Sequence, residues 1–106
     1  MNAEENIKKL NLILPKAADP VGSYVATKKS GKLLFVSGQI SMDNEGNLIK
    51  GKLGNDLDVG AGYKAAERCA LNIIAQVKKA CDNDLTKIKS CIKLTGFVNS
   101  TDEFVD

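Results

Sequence analysis

Two different periods of apolar and polar positions run along this chain, and the places where one gives way to the other mark its elements. Between Asp58 and Cys81 the apolar side chains Ala66, Cys69, Ala70, Ile73, Ile74, Val77, Ala80 and Cys81 recur at spacings of three and four. That spacing predicts an amphipathic helix over Val59–Cys81, capped by Asp58 and breaking at "CDND". Lys64, Glu67, Lys78 and Lys79 then belong on its wet side. From Lys87 to Ser100 the period drops to two. Ile88, Ile92, Leu94 and Val98 share one parity and Lys87, Lys89, Cys91 and Lys93 the other, which predicts a strand with one face on the core.

Upstream, "SYVATKKSGKLLFVSG" predicts a hairpin with strands at Tyr24–Thr27 and Leu33–Val36 and a turn over Lys28–Lys32 that contains Gly31. "LNLILP" is a short extended apolar run that Pro15 ends or confines to an edge. Residues 1–9 are polar and are expected to form a flexible, frayed N-terminus ahead of a domain over residues 10–106. The connection from Met42 to Asp58 is rich in Gly, Asn and Asp, with room for a brief strand at Leu48–Ile49. "STDEFVD" has the cap, first-turn acids and apolar Phe104 of another helix. A helix opening six residues from the last one predicts that the element continues in a longer chain. The expected class is α+β, a mixed β-sheet with a helix packed on one face and a right-handed crossover.

Composition narrows the chemistry. The 106 residues suit one domain. No apolar run approaches the roughly 18 residues that span a bilayer, and the N-terminus lacks a secretion-type apolar core, so a cytoplasmic location is the expectation. Fourteen of the fifteen basic residues are scattered lysines, Arg68 being the single arginine. With two Tyr, three Phe and no Trp, a basic track with aromatic stacking platforms for nucleic acid is not evident. Arg68 itself reads as a helix-surface residue paired with an acid one turn away. The sequence contains no histidine, which excludes His-dependent triads within one chain and the usual zinc constellations. Cys69, Cys81 and Cys91 include no CxxC pair and are expected to be reduced, buried thiols, with no metal site.

One stretch resists a purely architectural reading. "LLFVSGQIS" is an apolar strand that stops on Ser37, Gly38 and Gln39. Either this is a bulge or sharp strand exit that needs a glycine, or it is a place where backbone comes close to a ligand. A serine hydroxyl both donates and accepts, and a tyrosine such as Tyr24 offers an apolar ring with a polar tip.

Four collinear motifs, "PVGSY", "LLFVSGQIS", "GYKAAERCALNIIAQVKKAC" and "IKLTGFVNSTDEF", resemble the RidA/YjgF family, which has the chorismate-mutase-like fold. The resemblance covers about Leu12 to Asp106. It implies a homotrimer with a barrel-like centre, helices outside and clefts between subunits. It also implies a cofactor-free deaminase that hydrolyses reactive enamines and imines of the 2-aminoacrylate type to 2-keto acids and ammonium. Alternatives within the family are a trimer that binds small carboxylates without turnover and an L-PSP-type endoribonuclease or translation inhibitor. Matched position by position, Tyr24, Ser37, Gly38 and Gln39 fall in the substrate-binding cleft. The family's arginine clamp and glutamate belong to a C-terminal helix and strands that these residues do not include. No catalytic residue is therefore assigned, and weak or absent activity is expected of this form.

Overall fold

A computed structural model describes residues 2–106. The first helix, α1, runs Ala3–Lys9 where a frayed segment was expected. Its local sequence explains the difference. The Asn2 side chain accepts from the Glu5 N–H at 3.0 Å, and the Glu5 carboxylate accepts from the Asn2 N–H, forming a capping box. Seven residues are too few to hold a helix in isolation. Tertiary tethers supply the rest: Glu4 accepts from the Leu85 N–H at 3.1 Å and pairs with Lys78 at 3.4 Å.

The "LNLILP" run makes no strand; Asn11 takes a left-handed conformation (φ 55°) and the chain crosses the C-terminal half of the long helix instead. The hairpin comprises β1, Thr27–Ser30, and β2, Leu33–Val36, paired antiparallel from Thr27↔Val36 to Ser30↔Leu33. β2 lies where the sequence predicts it, whereas β1 begins three residues later. The reason is turn chemistry. Gly31, at φ 58°, takes the first central position of a two-residue loop, so the strands close one step after Ser30 rather than around a five-residue turn.

The second helix, α2, spans Val59–Ala80, with the Asp58 carboxylate accepting from the Ala61 N–H at 2.7 Å and Cys81 as C-cap. Asp82 and Asn83, both at positive φ, end it. Its extent matches the periodicity, but its most buried face does not. Leu71, Ala75 and Gln76 are buried, while Ala66 and Ala70 are exposed and Cys69, Ile73, Ile74 and Val77 are half-covered. The helix is apolar around more than one face, so packing partners choose which face turns inward. Leu53 lies against Gly62, where an added Cβ would sit 3.0 Å from a Leu53 methyl. Leu53, Leu71, Ala75, Cys81 and Leu85 form the small core, with Leu85 opening a 3-10 turn, Leu85–Lys87.

The sheet among the described residues is two antiparallel strands, not a mixed sheet. Lys87–Ser100 does not form the predicted strand. Only its end pairs, through Leu53 N–H to Asn99 O at 3.0 Å and Thr101 N–H to Leu53 O at 2.9 Å. Lys89 to Asn99 lie exposed. Alternation specifies which face wants burial, yet a strand also needs a neighbour's backbone, and none runs alongside. Leu48–Ile49 is reduced to a single bridge, Met42↔Leu48. "STDEFVD" makes one turn, Phe104 N–H to Thr101 O at 3.2 Å, rather than a helix. The α+β class holds, with α2 packed on the hairpin.

Candidate functional site

Where β2 runs out, the chain bends away from the hairpin and leaves an open cleft of about 310 Å³. Tyr24, Ser37, Gly38 and Gln39 all line it. One wall is the Pro15–Val21 segment, the other the Ser37–Gly46 loop, and α2 closes the bottom with Asn72 and Gln76. The Tyr24 ring rests on Gly22, where a Cβ would be 3.4 Å from ring carbons, and its hydroxyl accepts from the Val21 N–H at 3.4 Å. The phenolic proton is thus left to donate.

Ser37 continues the hairpin register by one pair: its N–H and its hydroxyl both donate to Ala26 O, at 2.9 and 3.1 Å. Its hydroxyl oxygen retains lone pairs for a ligand N–H or O–H. Gln39 Nε2 donates to Ser37 O at 3.2 Å, which folds the amide back along the strand exit. Gly38 meets nothing within 4 Å of where a Cβ would be, so space rather than strain sets this position apart. This glycine leaves the backbone open to the cleft; no close neighbour requires it.

Asp43 shapes the far end of the loop wall. Its Oδ1 accepts from Glu45 and Asn47 N–H at 2.9 and 2.8 Å, and its own N–H donates to Asn47 O. The bond from the Asn47 N–H is the leading reason that the Asp43 carboxyl is held below the ordinary carboxylate range. Lys16, exposed at the rim, and Asp43 are the cleft's two charged residues.

Three α2 side chains that sequence reading did not place at the site hold its walls, and two of them, Asn72 and Gln76, also line it. Arg68 does not pair with an acid. Its Nε donates to Met42 O at 3.1 Å and its Nη2 to Asn44 Oδ1 at 2.9 Å. Asn72 Nδ2 donates to Ile40 O at 2.8 Å and Met42 O at 3.0 Å. Gln76, only 2% exposed, donates from Nε2 to Ala18 O at 2.7 Å. The available signal was polar residues at a four-residue spacing within a helix otherwise rich in apolar positions.

The cysteines stand apart from the cleft. All three are free; Cys81 is buried, Cys69 half-buried and, against expectation, Cys91 exposed. Burial pushes the Cys69 thiol up, away from reactivity. Among the described residues no cluster of His, Cys, Asp or Glu has the makings of a metal site, and no helix is long and apolar enough to cross a membrane.

The profile of the family described as "YjgF/chorismate mutase-like, putative endoribonuclease" matches residues 4–106. The chain belongs to this YjgF/chorismate-mutase-like family. It is 40% identical over 101 residues to Protein TCP17 of Trypanosoma cruzi, covering 95% of this chain and 62% of that protein. The crystal structure of Atu1372, a protein of unknown function from Agrobacterium tumefaciens, superposes with a TM-score of 0.83 at 47% identity, over 96% of this chain and 62% of that one. A second crystal structure, titled a "putative endoribonuclease" from Shewanella oneidensis, gives a TM-score of 0.71 at 36% identity, over 77% and 54% of the two chains. This YjgF-family chain thus spans under two thirds of the length of these relatives.

Proposed function

We propose that this YjgF-family chain carries part of an enamine/imine deaminase site, hydrolysing small 2-aminoacrylate-type intermediates without a cofactor. The observation that carries the reading is the convergence of Tyr24, Ser37, Gly38 and Gln39 on one open cleft. Water adds across the C=N bond of the imine tautomer, its oxygen to carbon and a proton to nitrogen. The resulting carbinolamine loses ammonia and leaves the 2-keto acid. The Tyr24 hydroxyl and the Ser37 oxygen orient the substrate, and the open backbone at Gly38 lets it approach. Assembly as a homotrimer belongs to the same reading, supported by exposed Leu33, Phe35, Ile92, Leu94, Phe97 and Val98.

The test generates 2-aminoacrylate with a pyridoxal-phosphate-dependent dehydratase and follows keto-acid and ammonia release, with light scattering to read assembly. This chain is expected to accelerate release weakly, on the order of 10-fold over buffer. Release no faster than in buffer overturns the reading. If small carboxylates then raise the melting temperature without turnover, the cleft is a binding site for them.

The name of the Shewanella structure motivates a second reading, an endoribonuclease. Scattered lysines, few aromatics and the lack of histidine weigh against it. RNA cleavage that survives repeated purification and is lost in a Ser37→Ala, Tyr24→Phe variant would favour it.

A further inference from the structure

We infer that Arg68, Asn72 and Gln76 form a positioning ladder on α2 that sets the separation of the cleft's two walls, with Asn72 as its central rung. The inference rests on the reading of this cleft as a substrate site, but its geometry stands independently.

The three residues are spaced by four, so they follow one another along a single helix face over about 12 Å. All donate outward, and the residues whose oxygens they reach line the cleft. Gln76 holds Ala18 on one wall, while Asn72 and Arg68 hold Ile40, Met42 and Asn44 on the other. Between Gly38 and Asn47 the remaining hydrogen bonds stay within residues 37–49: Gln39 to Ser37, Met42 to Ile40, Ile49 to Ser41, and the Asp43 turn. Ser37, at the start of the wall, is tied to Ala26 O; for residues 38–47, among the described residues, the four bonds from Arg68 and Asn72 are the hydrogen bonds to the body of the molecule.

Asn72 also connects two successive turns of the wall. Ile40 O accepts from both Met42 N–H (2.9 Å) and Asn72, and Met42 O accepts from both Asn72 and Arg68. Moving Asn72 moves the bend that carries Gly38 and Gln39. Gln76 acts on a segment 58 residues away in sequence, and its near-complete burial makes its amide a fixed point. The arginine, committed to a carbonyl and an asparagine, serves the loop rather than a ligand carboxylate.

The experiment compares Asn72→Asp, isosteric but without the amide donors, with Arg68→Lys and Gln76→Met, by amide hydrogen exchange and by the imine assay. In Asn72→Asp the Met42, Asp43, Asn47 and Ile49 amides are expected to exchange at least 5-fold faster, with β1–β2 and α2 amides unchanged. Arg68→Lys should give the same pattern at lower amplitude, and Gln76→Met should leave those four amides alone. Where turnover is measurable, Asn72→Asp is expected to raise KM about 10-fold with kcat within about 3-fold. Exchange that rises uniformly over hairpin and loop, that does not rise at all, or that responds equally to Gln76→Met overturns the ladder. The exchange result decides this inference even if no deaminase activity is found. Normal turnover with unaltered loop exchange sinks the ladder and leaves the deaminase reading in place.

Discussion

Residues 59–81 and residues 87–100 both carry strong periodic patterns, yet one became the centre of the molecule and most of the other lies open to solvent. The helix closes its own backbone hydrogen bonds, so period, cap and stop are sufficient to form it. Its Leu71 and Ala75 are then each buried to 5% exposure. The strand-like segment depends on a neighbour for every backbone bond, and only its end finds one at Leu53. Phe97 is left 96% exposed. A pattern of period 3.6 is thus a claim about one segment, while a pattern of period two is a claim about two.

The sharpest way to break that contrast is a pair of truncations. Leu71→Ala is expected to destabilise by about 2–4 kcal/mol in urea denaturation, from lost burial and a residual cavity. Phe97→Ala should stay within about 0.5 kcal/mol in the single chain. A larger, concentration-dependent loss at Phe97 would show that another copy covers the 88–98 face, which would remove the difference between the regions on assembly.

A smaller effect sharpens the same point about self-sufficiency. Asp58→Ala removes the acceptor for the Ala61 N–H and should cost about 1 kcal/mol. Asn2→Ala, at the cap of the short α1, should cost less, because that helix depends on Glu4 contacts with Leu85 and Lys78. Equal losses would mean that α1 is as integral to the fold as α2.

The smallest effect lies in the cleft wall. Asp43 has a folded-state pKa below its unfolded value, so its bonds favour the folded loop above about pH 3.9 and that contribution fades as pH falls through the depressed value. The Glu45 and Asn47 amide resonances are expected to titrate together with a midpoint below the ordinary carboxylate value. In Asp43→Asn that acid titration should disappear. A midpoint at or above about 3.9 would show that the turn does not hold the carboxylate.

Much of the candidate site was legible before the fold. The residues of "SGQ" by themselves left a strand exit and a ligand approach open; the family resemblance put Tyr24, Ser37, Gly38 and Gln39 together in a cleft, and all four line one. Arg68, Asn72 and Gln76 were not legible as a group. A four-residue spacing marks one helix face, but nothing local says that backbone carbonyls 26 to 58 residues away will meet it. The Asn2 capping box has a legible Asn2-to-Glu5 spacing, which the reading of residues 1–9 as a frayed polar segment did not use.

By itself the sequence determined the elements whose bonds are local: α2 with its Asp58 cap, β2, and the end of the hairpin at Ser37–Gln39. It also determined the family, because four motifs in order constrain far more than any one of them. Tertiary structure decided which face of α2 turned inward, where β1 began, and that Leu53 rather than a full strand received Ser100. Those outcomes turn on contacts between distant segments, whose free energies are of the same size as local preferences and are not encoded in any single window of the chain.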